Sequence, residues 1–263
     1  MPKANIGDAE IYYEEHGSGE PLMLVSGLGG TAAYWKPNLP ALAAKYRVIV
    51  HDHRGAGQST HSKIRYSVEQ MTDDVLKLMD HLKIERAHVV GHSTGGAIGQ
   101  IMAIRNPERL KKLVLFATWT KADKFFRQLF AARRALLMQV GKEAYVRAGS
   151  LFLYTPAWLK ANEKLVEERE ELAIRGFPPV EVVASRIDAI VAFDRTAELG
   201  KIRTPTLVLC AKDDFITPAY FSEELARKIP GAKLVLLPQG GHCASETALE
   251  AFNEALSEFL APR

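Results

Sequence analysis

The sequence predicts an α/β fold: a mostly parallel, twisted sheet of about eight strands with helices on both faces and a helical cap inserted into it. Three observations predict it. Short, largely apolar runs recur at Leu22–Val25, Tyr46–Val50, Ala87–Val90, Leu113–Phe116, Thr206–Cys210 and Lys233–Leu237, as strands buried on both faces do. Up to about Thr118 these runs alternate with helical patterns, the order that builds a parallel sheet covered on both sides. The third is Gly91-His92-Ser93-Thr94-Gly95, placed where a strand turns sharply into a helix.

Taken in order, Ala4 to Glu15 holds two short segments around Gly7-Asp8 that read as an antiparallel pair at the sheet edge. The strand Leu22–Val25 runs into Ser26-Gly27-Leu28-Gly29-Gly30, whose glycines let a backbone approach a ligand closely. After Tyr46–Val50 comes the loop Asp52-His53-Arg54-Gly55-Ala56-Gly57-Gln58-Ser59. Val68, Met71, Val75, Leu78 and Leu82 recur at steps of three and four, predicting a helix with one buried face. Asn106-Pro107 ends the helix that follows the serine.

From about Thr120 to Glu198 the alternation stops. Helix-like pieces, Phe125 to Val140 and Ala161 to Arg175, are broken by Gly141, Gly149, Pro156 and Gly176-Phe177-Pro178-Pro179. The predicted organisation is a core of residues 1–119 and 199–263 with a cap of residues 120–198. Starting at a strand end, that cap would lie above the carboxyl edge of the sheet, where such folds bind ligands. Strand, helix and strand then resume, with a helix from about Tyr220 to Ile229 and a last one carrying Leu249, Phe252, Leu256 and Phe259 on one face.

At 263 residues, 47% apolar and 25% charged, the chain can bury a full core. A net charge of +3, spread among acidic residues, points to neither a nucleic-acid nor a membrane surface. Two cysteines make no disulfide framework and no zinc spacing. The start, Met1-Pro2-Lys3-Ala4-Asn5, has no signal-peptide pattern, and the expectation is a cytoplasmic protein acting on a small molecule. A homodimer is an allowed assembly.

Gly91 and Gly95 leave room for a strained turn that presents Ser93 above the strand ends. The amides that open the following helix, Thr94 first, can face an anion beside it. Five residues alone also suit a tight connection with a bystander serine. A serine hydroxyl is a poor nucleophile near neutral pH and needs a base, with a third group holding that base in the right tautomer. His242 and Asp214 follow late strands, at the same edge as Ser93, in the chain order Ser, acid, His.

On Gly91-His92-Ser93-Thr94-Gly95, Asp52-x-Arg54-Gly55-x-Gly57-x-Ser59, Asp213-Asp214-Phe215-Ile216-Thr217-Pro218 and Gly241-His242, the chain resembles the α/β-hydrolase superfamily over essentially its whole length. The resemblance implies an α/β-hydrolase fold and a catalytic triad of Ser93, Asp214 and His242. Some relatives place the acid one strand earlier, which puts Asp123 in contention. It also implies an oxyanion hole from the Leu28 and Thr94 amides, with Ser26 standing where a histidine usually opens the loop. Within the superfamily, Ser26-Gly27-Leu28-Gly29-Gly30 with Tyr34-Trp35, Leu151-Phe152-Leu153-Tyr154 with Trp158, and Gly240-Gly241-His242-Cys243 look like the aminoacrylate hydrolases of pyrimidine catabolism. Those enzymes are assigned to cleaving a small enamine acid. The triad argues equally for ester, lactone or amide hydrolysis, with no cofactor.

Other residues have plainer alternatives. His51 and His53, which face opposite ways if the strand continues, are not read as metal ligands. His92 reads as a structural or pocket-wall group, and Cys243 as a small packed residue. Trp119, Phe152 and Trp158, with Phe193, are candidates for an apolar substrate roof or for ordinary packing within the cap. Arg127, Arg133, Arg134 and Arg147 suit a substrate carboxylate or, more commonly on a helix, solvent. Two other functions use the same scaffold: a cofactor-free haloperoxidase or perhydrolase, and a small-molecule binding protein. Dehalogenase chemistry is disfavoured, since it needs a carboxylate where Ser93 stands.

Overall fold

The computed structural model describes residues 2–261. Its strands are β1 (Lys3–Asn5), β2 (Glu10–His16), β3 (Glu20–Val25), β4 (Tyr46–His51), β5 (Ala87–His92), β6 (Leu110–Phe116), β7 (Thr206–Ala211) and β8 (Lys233–Leu237). They form one eight-stranded sheet in the order β1-β2-β4-β3-β5-β6-β7-β8. Strands β3 to β8 pair in parallel, and the edge hairpin β1-β2 joins antiparallel, β2 also pairing with β4. All parallel strands therefore point their carboxyl ends to one rim, and the loops that follow them share it.

Alternate residues of each strand feed two cores, as the period of two requires. Leu22, Leu24, Val48, Val50, Val90 and Val114 pack with Leu42 of α1 (Leu39–Ala43) and with Phe252, Leu256 and Leu260 of α11 (Leu249–Leu260). Met23, Val25, Ile49, Val89, Leu113 and Leu115 pack on the other side. There they meet α2 (Val68–His81), α3 (Thr94–Arg105) and α9 (Ala219–Lys228). Ser67 starts α2 by accepting the Gln70 amide at 3.0 Å. The helix stops one residue short of Leu82, where Lys83 turns to a φ of 55°.

Between β6 and β7 the chain is helical: α4 (Lys124–Ala135), α5 (Lys142–Leu153), α6 (Pro156–Ala161), α7 (Glu163–Arg175) and α8 (Val180–Ala192). A bridge between Lys121 and Asp194 closes the base of this insertion. The single helix expected from Phe125 to Val140 ends its α-helical course at Ala135. A π-helical turn, Leu136–Val140, follows, because the Gly141 amide bonds the Leu136 carbonyl and Gly141 leaves at a φ of 119°. The helix expected from Ala161 to Arg175 is α7, begun two residues later, whereas the break expected at Gly149 is absent, that glycine lying inside α5. Thr155 caps a short α6 that Pro156 opens, and Asn162, outside helical geometry, separates it from α7. After β8, α10 (Ala244–Thr247) leads into the last helix.

The Asp52–Ser59 loop is a scaffold. The Asp52 carboxylate accepts the Ala32 amide at 2.8 Å and the Gln58 amide at 2.7 Å, stitching this loop to the segment after the glycine-rich one. Arg54, 3% exposed, makes paired bonds at 2.8 to 2.9 Å to Asp74 and at 2.8 Å to Asp8. That fork ties the β1-β2 turn to α2 beneath the rim.

Candidate active site

Ser93 sits between β5 and α3 with φ 54° and ψ −114°, a conformation costly for any residue with a side chain. Backbone bonds hold it there. Its amide donates to the Phe116 carbonyl at 2.9 Å, and its own carbonyl accepts the Gly96 and Ala97 amides and the Thr118 hydroxyl. The two glycines are explained by contact rather than by dihedral angle. A Cβ on Gly91 would lie 2.2 Å from the Gly95 carbonyl oxygen, and one on Gly95 would lie 2.1 Å from that of Val25. Both obstacles are backbone and cannot rotate away. Gly95→Ala is therefore expected to destabilise the fold by ~3 kcal/mol or more, measured as the shift in urea midpoint; a change below ~1 kcal/mol would refute the contact argument.

His242 stands on the loop after β8. Gly240 and Gly241, at φ 145° and 63°, make the turn that delivers it. The Gly241 amide bonds Asp213 Oδ1 at 2.9 Å, and the His242 and Cys243 amides converge on the Leu153 carbonyl at 3.1 and 3.3 Å. The end of α5 thus grips the histidine loop directly. His242 Nδ1 lies 2.9 Å from Asp214 Oδ2 and 3.1 Å from Oδ1. Asp214, 3% exposed, also accepts the Ile216 and Thr217 amides on Oδ1 and the Thr217 hydroxyl on Oδ2. Asp123 is engaged elsewhere: it caps α4 through the Phe126 amide and accepts the Tyr220 hydroxyl.

The structure thus joins the imidazole to Asp214. Ser93 follows His92, whose ring centre is 4.7 Å from that of His242. Among the described residues the Ser93 hydroxyl makes no hydrogen bond to His242; such bonds tighten in the substrate complex. His92 braces this junction. Its Nε2 lies 3.0 Å from the His242 carbonyl oxygen, so that nitrogen carries the proton and donates, while the ring stacks on Tyr34 at 4.6 Å and 9°. Burial, then the neighbouring His242, hold the His92 imidazole well below its ordinary pKa and keep it neutral.

Across from these, the Thr94 and Gly95 amides open α3 without intrahelical acceptors. Leu28 lies in the turn closed by the Gly30 amide on the Gly27 carbonyl. Gly27 is close-packed on the nucleophile: a Cβ there would meet Ser93 Cβ at 3.2 Å. Ser26 opens this loop, and its buried hydroxyl has no partner among the described residues. His53, missed by sequence reasoning as a functional residue, clamps the loop at both ends. Its Nε2 bonds the Ser26 carbonyl at 2.8 Å and its amide bonds that of Gly30 at 3.1 Å. The expected opposite orientation of His51 and His53 is corrected: residues two apart on an extended chain share a face, and the two rings meet edge to face at 5.0 Å.

Trp119 is fully buried against Phe126 and Phe193. Phe152 stacks on Phe215, the neighbour of Asp214, at 5.9 Å and 16°. Trp158 stacks on Tyr154 at 4.4 Å and 14°. Cys243 is buried, which pushes its thiol well up. A surface cleft of about 360 Å³ on the insertion, bordered by Arg147, Leu159, Glu163 and Glu170, contains none of these residues. Arg147 on its border pairs with Glu170 and with the neighbouring Glu171.

A sheet with this strand order, an elbow at Ser93 and a histidine–aspartate pair at the same rim define a class, and the chain belongs to the α/β hydrolase fold family, whose profile matches residues 20–249. It is a hydrolase by family. More narrowly, it is 42% identical to a protein of Azorhizobium caulinodans named as a candidate carbamate hydrolase RutD, over 98% of both chains. A protein of the same name from Caulobacter sp. is 42% identical over 95% of both. Among solved structures, the enol-lactonase of Burkholderia xenovorans superposes with a TM-score of 0.91 at 29% identity, covering 98% of this chain and 99% of that one. A candidate non-heme bromoperoxidase of Mycobacterium tuberculosis gives 0.83 at 27%, covering 95% and 94%.

Proposed function

We propose that the chain is a cofactor-independent serine hydrolase that cleaves a small carboxylic ester, lactone or amide through an acyl-enzyme. Ser93 attacks the carbonyl while His242 takes its proton, and His242 returns that proton to the leaving group. Asp214 holds the imidazole with its proton on Nδ1. The Leu28 and Thr94 amides stabilise the oxyanion, and water activated by His242 then releases the acid. The observation that carries this reading is the buried bond of 2.9 Å between His242 and Asp214 beside a serine held at φ 54°.

Names of relatives narrow the substrate without fixing it. The sequence resemblance implies an enamine acid, the RutD relatives are named for carbamate, and the structural neighbour for an enol-lactone. The carbamate and the enol-lactone each have an acyl carbon bonded to nitrogen or oxygen, which suits one acyl-transfer site, whereas an enamine acid loses its amine from a vinyl carbon and calls for proton transfer and water rather than an acyl-enzyme. The two cysteines are free and buried, in keeping with a reducing cytoplasm, and no helix among the described residues is long and apolar enough to cross a membrane.

The test is covalent. A fluorophosphonate probe is expected to add one equivalent to Ser93 of the folded protein and none after denaturation, read by mass spectrometry of the peptide; labelling that survives denaturation, or that lands on another residue, sinks the proposal. The bromoperoxidase likeness favours one second reading, perhydrolysis by the same residues. It predicts bromination that requires both acetate and peroxide.

A further inference from the structure

Among the described residues, two guanidiniums of the helical insertion are buried with no carboxylate hydrogen-bonded to either. Arg186 of α8 is 1% exposed. Its Nη1 donates to the Arg54 carbonyl, and its Nε and Nη2 have no partner among the described residues. Arg133 of α4 is 8% exposed, lies 5.1, 5.2 and 5.9 Å from the ring centres of Phe130, Tyr145 and Phe152, and leaves its Nε unpartnered. Tyr145 connects the two: its hydroxyl is 3.4 Å from Arg133 Nη2, and it lies within the electrostatic reach of Arg186.

The other arginines of the insertion behave differently. Arg134 pairs with Asp188, Arg147 with Glu170 and Glu171, and Arg169 with Glu246. Arg127 donates to the Ala122 carbonyl. The acid nearest in influence to Arg186 is Asp74, and it is held by the Arg54 fork and by Gln70. Burial lowers Arg186 to about 10, so it remains charged at neutral pH. Water can satisfy a guanidinium's hydrogens but not its charge: Asp8, largely in solvent, and Asp74 together exceed Arg54 by one negative charge, which leaves the second buried guanidinium without a compensating acid, a costly arrangement.

His51 locates this charge relative to the chemistry. It is 2% exposed, both its ring nitrogens lack a partner among the described residues, and burial followed by the Arg186 charge lowers it to about 4, so it is neutral. His51 ends β4, while Ser93 follows β5, with β3 between them. Two strand spacings are about 10 Å. An attack distance of about 3 Å at one end and a guanidinium contact of about 3 Å at the other leave room for a short carbon chain.

We propose that Arg186 and Arg133, with Tyr145 and His51, form an anion subsite that takes the carboxylate of a short acid whose scissile carbonyl lies two or three carbons away. The ligand class is a monoester or monoamide of a malonate- or succinate-sized diacid. The subsite selects substrate by charge and fixes its direction toward Ser93. Its kinetic consequence rests on the serine-hydrolase reading; its binding consequence does not.

The experiment separates the two. In full-length Ser93→Ala protein, malonate and succinate are titrated by calorimetry; binding should weaken at least tenfold on adding Arg186→Met or Arg133→Met and stay within twofold on adding Arg134→Met. In the Ser93 protein, Arg186→Met should raise KM for monomethyl succinate at least tenfold, leave kcat within threefold, and leave dimethyl succinate unchanged, with Arg186→Lys recovering part of the loss. Should Arg186→Met fail to fold by near-ultraviolet circular dichroism, Arg133→Met and Arg186→Lys carry the same test. Diacids that do not bind, or equal losses on charged and neutral esters, overturn the subsite. Diacid binding that depends on both arginines, in a protein that hydrolyses neither ester, overturns the serine mechanism and leaves the subsite standing.

Discussion

Replacing Ser93 by alanine should lower ester turnover by about 10⁴ to 10⁶, the range in which removing a nucleophile leaves only binding and oxyanion stabilisation. That corresponds to roughly 5 to 8 kcal/mol of barrier. The substitution is a clean probe because no structural bond uses the hydroxyl. The bonds that hold the turn run through the Ser93 amide and carbonyl, to Phe116, Gly96, Ala97 and Thr118, and alanine keeps all of them. Thermal unfolding of the variant should therefore match that of the parent within a few degrees. Turnover above about one per cent of the parent, measured on a short ester after removing any contaminating activity, would transfer the nucleophile's role elsewhere.

How far the sequence speaks depends on which physical constraint each residue answers. Gly91 and Gly95 are legible because two backbones touch there and no side chain fits, a constraint that a fixed spacing records. The strands are legible because burial on both faces leaves unbroken apolar runs. The function of the Asp52–Ser59 loop was not legible, since a carboxylate that ties amides and one that does chemistry look alike in a string. Within the insertion Gly141, Pro156 and Gly176 fall at helix ends as expected, whereas Gly149 is carried inside α5, since a mid-helix glycine costs only about 1 kcal/mol, and the break at Asn162 acts through a dihedral angle that composition does not show.

Arg186 is the instructive omission, and Arg133 is named from the sequence only among four arginines that it does not separate. Charged residues on helices are assigned to solvent by default, yet a signal was present. Val182, Arg186 and Ile190 stand four apart on α8, so Arg186 occupies the middle of a buried stripe. Arg133 falls likewise on the line of Phe126, Leu129, Phe130 and Leu137, while Arg127 and Arg134 lie off it. A positive charge placed on an apolar stripe is a departure from the pattern that its own period exposes. His53 gave no such signal, because its task is to hold a carbonyl on a loop distant in sequence.

Asp214→Asn should cost about 10⁴ in kcat, and Asp213→Asn should stay within threefold. The argument follows the hydrogens. Asp214 Oδ1 accepts the Ile216 and Thr217 amides, so an asparagine would keep its carbonyl oxygen there. Its NH₂ group would then face the Thr217 hydroxyl, which can turn to accept, and His242 Nδ1, which must lose its proton to accept. That tautomer carries its proton on Nε2, aimed at the nucleophile, and cannot act as a base, hence the size of the loss. Asp213 only accepts the Gly241 amide at 2.9 Å, a role that an asparagine oxygen performs as well. Steady-state kinetics of the two variants on one ester make the comparison. Equal effects, in either direction, would mean that the paired aspartates share the proton-holding task rather than dividing it between orientation of the imidazole and support of the loop that carries it.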